Sequence, residues 1–116
     1  MSTLSTHALD TASGKPAQGL PLVLEKQGAS GTGWQVLAQG VTNADGRCPD
    51  LFAEGENALE PGIYRMGFDT AHYFAQHKIV GFYPRVEVMF EIHATDEHYH
   101  IPLLISPFGF STYRGS

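Results

Sequence analysis

The stretch that decides the fold is residues 97–116, which read EHYHIPLLISPFGFSTYRGS. Its first ten residues alternate strictly. Tyr99 and every second residue after it form an apolar row, whereas His98, His100 and the residues at the same spacing face the other way. A period of two residues indicates a β-strand with two different faces. The apolar row suits a core, and the opposite face is unusual because it carries two histidines.

A turn follows this strand, since proline and glycine bracket the next three positions. A two-residue turn at 107–108 fixes the register of a hairpin. His100 then faces Gly115, and Tyr113 becomes a diagonal neighbour of His100 on the same face. We predict that the second strand of the hairpin runs to the last residue, which would place the carboxylate of Ser116 beside this face.

Short alternating segments separated by turn residues make up the rest of the chain. We predict further strands over 3–10, 20–26, 34–40, 63–68 and 85–93, a short one near 51–52, and one helix over 71–77. The helix has Asp69 or Thr70 as its cap. The predicted loops cover 10–19, 28–33, 53–60 and 94–96. Seven or eight short strands with one helix predict an all-β fold, a β-sandwich.

Composition limits the possible functions. The 116 residues are expected to form a single domain, 1–116. The net charge of -5 argues against a nucleic-acid partner, and no apolar run is long enough for a membrane span. The start of the chain shows no secretory signal, and the one cysteine allows no internal disulfide, so we expect a cytoplasmic protein.

The polar residues that could carry chemistry are weak signals one by one. His7 in mid-strand reads by default as an exposed residue, Arg47 after a turn as a solvated one, and Tyr113 as a packing residue. A metal site is one alternative, because His98 and His100 share a strand face and His7 could be a third ligand. No carboxylate has clear ligand spacing near them, so acid–base chemistry is favoured over metal binding.

A covalent serine mechanism is a further alternative. Candidate nucleophiles are Ser106, Ser111 and Ser116. The sequence has no Gly-x-Ser-x-Gly elbow, which argues against this mechanism.

Three separated motifs carry a resemblance to a known family. Residues 98–116, HYHIPLLISPFGFSTYRGS, closely resemble the C-terminal signature of the 5-hydroxyisourate hydrolases, the enzymatic branch of the transthyretin family. Residues 4–10, LSTHALD, match that family's N-terminal motif, except that alanine stands where valine is more frequent. Residues 45–47, DGR, match a third motif. The resemblance spans essentially the whole chain.

The resemblance implies a fold, an activity and an assembly. The fold would be a transthyretin-like sandwich of two four-stranded sheets with one short helix. The activity would be hydrolysis of 5-hydroxyisourate to 2-oxo-4-hydroxy-4-carboxy-5-ureidoimidazoline in urate degradation, with no metal and no cofactor. The assembly would be a homotetramer, a dimer of dimers, with the sites in a channel between dimers.

The resemblance also implies roles for individual residues. Catalytic roles fall to His7, Arg47, His100 and Ser116, and substrate contacts to His7, Arg47 and Tyr113. His98 and Arg114 would lie behind these residues and hold them in position. Two other classes of function remain open on the sequence: a small-ligand carrier of the transthyretin type, and a structural sandwich module.

Overall fold

The computed structural model describes residues 3–49, 51, 59–93 and 97–115. The strands are β1 (Thr3–Asp10), β2 (Lys15–Pro16), β3 (Pro21–Gln27), β4 (Trp34–Val41), β5 (Gly62–Phe68), β6 (Val86–Ile92), β7 (His98–Ser106) and β8 (Gly109–Thr112). One helix, α1 (Thr70–Gln76), lies between β5 and β6. The all-β sandwich with one short helix is confirmed.

The strands form two four-stranded sheets with the core between them. The first sheet has the order β2-β1-β7-β8, and the second sheet has the order β4-β3-β5-β6. Both sheets contribute residues that are fully buried, such as Leu103 from the first and Leu24, Met66 and Phe68 from the second. Strands β1 and β7 of the first sheet have one face on the core and one outer face, whereas β2 and β8 bury none of their residues.

Strands β1 and β7 lie side by side and run parallel in the first sheet. Their register places Thr3 beside His98, Ser5 beside His100 and, two residues on, His7 beside residue 102. The parity predicted for β7 holds: the residues of the apolar row are buried, and of the others only Pro102 is buried. Strand β1 alternates in the same way between buried and half-buried residues. Residues about 95 positions apart thus become neighbours.

Strand β8 is shorter than predicted, because pairing with β7 ends at Leu103 and Thr112. The next pair in this register would join Pro102 to Tyr113, and proline has no N–H to donate. The chain leaves the ladder at that point and returns at Gly115, whose N–H donates to the carbonyl of His100 at 2.8 Å. The prediction of a continuous strand to the last residue was wrong, and Pro102 is the physical reason.

Two smaller predictions also need correction. The loop predicted over 10–19 contains the two-residue strand β2, which pairs with the end of β1. The short strand predicted near 51–52 is absent at Leu51, which lies in a bend, and Phe52 is outside the described residues. Most of the predicted loop 53–60 and all of 94–96 also lie outside them.

Helix α1 is fixed at its start and on one side. The Asp69 side chain caps it by accepting from the N–H of His72 at 3.0 Å. The Tyr73 hydroxyl donates to the buried Asp10 carboxylate at 2.8 Å, which ties the helix to the end of β1. Within the described ranges, no helix is long and apolar enough to cross a membrane.

Candidate active site

The outer face of the first sheet collects the histidines that the sequence singled out. We call the surface around Ser5, His7, His98 and His100 the histidine face. His7 and His100 are half-buried, whereas His98 is exposed. The four residues come together because β1 and β7 are parallel neighbours in matching register. A side chain on either strand can therefore reach one on the other.

Hydrogen bonds link three side chains of the histidine face into a chain. The Ser5 hydroxyl lies 2.7 Å from Nδ1 of His100 and 2.8 Å from Nε2 of His98. The other ring nitrogen of His98, Nδ1, lies 2.6 Å from the Thr3 hydroxyl. Both rings are thus held in a fixed orientation. Nδ1 of His100 is engaged within the chain.

A tight turn brings Arg47 to this face. The Asn43 side-chain oxygen accepts from the N–H groups of Asp45 and Arg47, at 2.9 and 3.1 Å. Gly46 sits in the turn at φ +76°, and its carbonyl accepts from the Ala8 N–H at 2.8 Å. A Cβ at Gly46 would collide with the Ala8 carbonyl, so glycine is required there.

This turn ends in a direct bridge between the backbones of Arg47 and His7. The Arg47 side chain is exposed. Its guanidinium lies close enough to His100 to affect the titration of that ring. The DGR motif and the N-terminal motif therefore meet at one place, next to the C-terminal motif.

The surroundings of His100 favour its neutral form. Partial burial is the largest cause that lowers the pKa of the ring below its ordinary value of 6.5. The positive charge of Arg47 acts in the same direction, followed by those of His98 and His7. A hydrogen bond with the backbone of Ser5 opposes them. The ring is thus kept as a neutral imidazole at neutral pH, the form that can accept a proton.

The C-terminal segment covers one side of His100. A Cβ built on Gly115 would lie only 2.5 Å from Cδ2 of the His100 ring, so the backbone packs closely against that ring. Tyr113 is 60% exposed. It lines, together with His100 and Arg114, a small cavity of about 140 Å³ where β8 has left the ladder.

The predicted residues therefore do not all meet. His7, Arg47, His98 and His100 come together, and Tyr113 adjoins only His100 of that group. Arg114 turns away: its guanidinium stacks on Tyr99, 4.5 Å from the ring centroid, and pairs with Glu97 at 3.3 Å. Ser116, a predicted catalytic residue, lies outside the described residues. Among the described residues, no three His, Cys, Asp or Glu side chains are grouped to hold a metal ion.

Sequence reasoning missed the part played by Ser5. The available signal was its position two residues before His7, because residues at that spacing share one face of a strand. Its contact with both histidines depends on the parallel pairing of β1 with β7. Parity within one strand does not reveal which strand lies next to it.

Comparison with known proteins identifies the family. The model of the HIUase/Transthyretin family matches residues 4–115. The chain belongs to this family. The mouse protein named 5-hydroxyisourate hydrolase is 47% identical over 115 residues, which cover 99% of this chain and 96% of the mouse protein.

Solved structures of the HIUase/Transthyretin family superpose on nearly the whole chain. The 5-hydroxyisourate hydrolase of Klebsiella pneumoniae is 40% identical, with a TM-score of 0.84, and the match covers 100% of this chain and 94% of that one. Sea bream transthyretin, solved with thyroxine, is 34% identical, with a TM-score of 0.88, and the match covers 97% and 93%. The fold is thus shared by a protein named 5-hydroxyisourate hydrolase and by a transthyretin solved with thyroxine, so the fold alone does not decide between the two functions.

Proposed function

We propose that this protein hydrolyses 5-hydroxyisourate, with water opening a ring amide. The observation that carries the proposal is the histidine face, where a half-buried neutral imidazole lies beside an arginine. The relatives named 5-hydroxyisourate hydrolase, matched over nearly their full length, support the same reaction. The product would be 2-oxo-4-hydroxy-4-carboxy-5-ureidoimidazoline, and the reaction needs no redox step.

His100 is our choice for the general base. Water is a weak nucleophile at neutral pH, so a group on the protein must take its proton as it attacks. A lowered pKa keeps His100 unprotonated under these conditions. Because Nδ1 is engaged by Ser5, we assign proton transfer to Nε2. His7, on the neighbouring strand, is the alternative base or a second group that holds the attacking water.

Arg47 supplies charge complementarity. The substrate is an oxidised purine that can carry delocalised negative charge, and its amide oxygen gains more negative charge as water adds. A guanidinium offers several N–H donors in one plane, which suits the edge of such a ring. Donors held in place before the reaction stabilise the developing oxyanion. The turn built by Asn43 and Gly46 fixes the backbone position from which Arg47 extends.

The C-terminal residues complete the proposed site. Tyr113, exposed and next to His100, is proposed to hydrogen-bond the substrate ring. Ser116 and the terminal carboxylate are proposed to orient a histidine or Arg47. Arg114, through its contacts with Tyr99 and Glu97, is proposed to anchor the segment that carries Tyr113. Deleting 113–116 should abolish hydrolysis and leave the sandwich folded, because the core residues of β7 remain.

A homotetramer, as a dimer of dimers, is part of the proposal. His98 on the histidine face is exposed, and the nearby Arg47 and Tyr113 are exposed as well. A second dimer that covered this face would exclude water, which strengthens electrostatic stabilisation in the site. Light scattering should give four times the chain mass of 12.6 kDa. A monomer with full activity would contradict this part.

A cytoplasmic location completes the proposal. The single cysteine of the sequence fits a reducing compartment. Cell fractionation followed by immunoblotting measures the distribution directly. Recovery of the protein in a secreted or membrane fraction would contradict this assignment.

The carrier function is the second candidate, and the thyroxine complex of the sea bream relative is the observation in its favour. A carrier of hydrophobic ligands needs apolar walls and no base. The histidine face presents imidazoles and a guanidinium, which favours the hydrolase. Thyroxine should therefore bind weakly, as measured by calorimetry, whereas freshly generated 5-hydroxyisourate should be turned over.

The deciding experiment is a spectroscopic assay with freshly generated 5-hydroxyisourate, corrected for spontaneous decay. His100→Ala should lower the rate about 10²–10⁴-fold, the usual effect of removing a general base. The matched control is His72→Ala, which removes an exposed histidine on α1. Melting curves of both variants should stay close to the parent. Equal rates for His100→Ala and the parent would exclude His100 as the base.

A further inference from the structure

Ser5 occupies an unusual position between two histidine rings. Its single hydroxyl contacts Nδ1 of His100 and Nε2 of His98 at 2.7 and 2.8 Å. A serine hydroxyl has one proton to donate and two lone pairs to accept. A neutral histidine has one ring nitrogen that donates and one that accepts. These numbers restrict where the protons of the cluster can be.

While both rings are neutral, Ser5 can donate to one ring and accept from the other in two arrangements. In the first, Nδ1–H of His100 donates to Ser5, and Ser5 donates to Nε2 of His98. In the second, Nε2–H of His98 donates to Ser5, and Ser5 donates to Nδ1 of His100. A third arrangement, in which both rings donate to Ser5 and its own proton points elsewhere, leaves Nε2 of His100 bare as the first one does. The two histidines cannot choose their tautomers independently, because Ser5 has one proton and cannot donate to both rings. When it donates to Nε2 of His98, Nδ1 of His100 must carry the proton.

The two arrangements differ in what His100 offers to a substrate. In the first, Nε2 of His100 has a lone pair and can accept a proton from water. In the second, Nε2 carries a proton and cannot act as a base. His98 enters the first arrangement with its Nδ1–H donating to the Thr3 hydroxyl, 2.6 Å away. The Thr3 hydroxyl can accept this bond, because a hydroxyl accepts as well as donates.

We propose that Ser5 is a positioning residue that couples the tautomer of His98 to that of His100 and leaves Nε2 of His100 unprotonated. This inference rests on the proposed hydrolase function. His98 acts through Ser5 and makes no contact with substrate. Ser5 also fixes the His100 ring plane, since a ring held at Nδ1 cannot flip without losing that bond. A partner that orients a histidine in this way is familiar from metal-bound and catalytic imidazoles.

The test combines two substitutions of Ser5, and a control, with two measurements. Ser5→Ala removes the hydroxyl, and Ser5→Thr keeps it on a residue that suits a strand. Ser30→Ala, in the β3–β4 loop, is the matched control. In Ser5→Ala we expect kcat to fall about 10- to 100-fold, as for the loss of a partner that orients a functional histidine. KM should stay near the parent value, and Ser5→Thr should restore kcat.

The second measurement needs no substrate. Nitrogen-15 shifts of the His100 ring report which nitrogen carries the proton. The parent at neutral pH should show Nδ1 protonated and Nε2 bare, and Ser5→Ala should show a mixture of the two tautomers. His98→Gln should also disturb the His100 tautomer, although His98 is not bonded to that ring.

Three results would overturn the assignment. They are a parent His100 with Nε2 protonated, a Ser5→Ala variant with an unchanged His100 tautomer, and a Ser5→Ala variant with unchanged kcat. If the parent has no hydrolase activity, the proposed function fails, and the nitrogen-15 spectra alone then decide the role of Ser5.

Discussion

Strand β1 carries two polar clusters, one at each end. One is closed, because its polar groups bond to each other inside the chain, and the other is open, because it lies on an outer face. At one end, the buried Asp10 carboxylate accepts from the N–H groups of Ala12 and Ser13, at 2.9 and 3.2 Å, and from Tyr73. At the other end, Ser5 links two histidines on an outer face. The first cluster is complete within the chain, whereas the second lies on the outer face of the sheet beside the exposed Arg47.

The comparison teaches which polar groups hold the fold and which carry chemistry. Burial and the hydrogen bond to Asp10 raise the pKa of Tyr73, so this phenol stays neutral and donates at all ordinary pH values. Partial burial and nearby positive charge instead lower the pKa of His100, so that its protonation is poised below neutrality. A closed cluster stabilises one state, and an open cluster can exchange protons with a ligand.

The largest effect should follow from disturbing the open cluster by one methyl group. Gly115→Ala would place a Cβ 2.5 Å from Cδ2 of His100, and the ring must move. A misplacement of about 1 Å in a catalytic group can cost about 10²-fold in rate. We expect a loss of this size in kcat with little change in the melting temperature. A fully active Gly115→Ala variant would mean that the ring position is not critical.

The closed cluster should respond in the opposite way. Tyr73→Phe removes the donor to Asp10 and leaves a buried carboxylate oxygen without that partner, at a cost of about 1–3 kcal/mol in the free energy of unfolding. Chemical denaturation measures this loss. Turnover by the folded variant should remain near the parent value. A large fall in kcat without a loss of stability would show that the two clusters are coupled.

The smallest effect should come from the charge next to His100. Arg47→Gln removes a positive charge that lowers the pKa of that ring, so the His100 midpoint should move to higher pH in an NMR titration of the resting protein. Arg47→Lys, the matched control, keeps the charge and should keep the midpoint. An unchanged midpoint in Arg47→Gln would leave burial and the two neighbouring histidines as the causes of the lowered pKa.

The same lowered pKa has a consequence for stability. Unfolded chains bind a proton at His100 more readily than the native protein does. The stability of the fold is therefore unaffected by this group above its ordinary pKa and falls as the pH drops through 6.5. Denaturation at several pH values would measure this slope, and His100→Ala should reduce it.

Local patterns predicted much of the fold. Alternation in β7 and β1 gave both the strands and their faces, because side-chain parity is a local property. The hairpin register through Gly115 also followed from turn length. The break after Thr112 depends on a missing N–H at Pro102, on the partner strand. Strand β2 was missed since two residues carry no periodicity.

The candidate site was predictable only in part. The motif match brought forward His7, Arg47 and His100, and the structure puts them next to each other. The link through Ser5 arises from contacts between distant segments, and the turning away of Arg114 toward Tyr99 is a side-chain contact within the hairpin that strand parity does not fix. No spacing within one segment contains that information.

The parallel pairing of β1 with β7 has a consequence for synthesis on the ribosome. β1 emerges early, but its long partner follows only about 95 residues later. Until then, one full edge of β1 has no strand to pair with, and such edges invite association with other chains. Contacts between distant segments also slow folding. We therefore expect catalytic competence to arise only after translation of β7, and β1 to be the segment that most needs protection by chaperones.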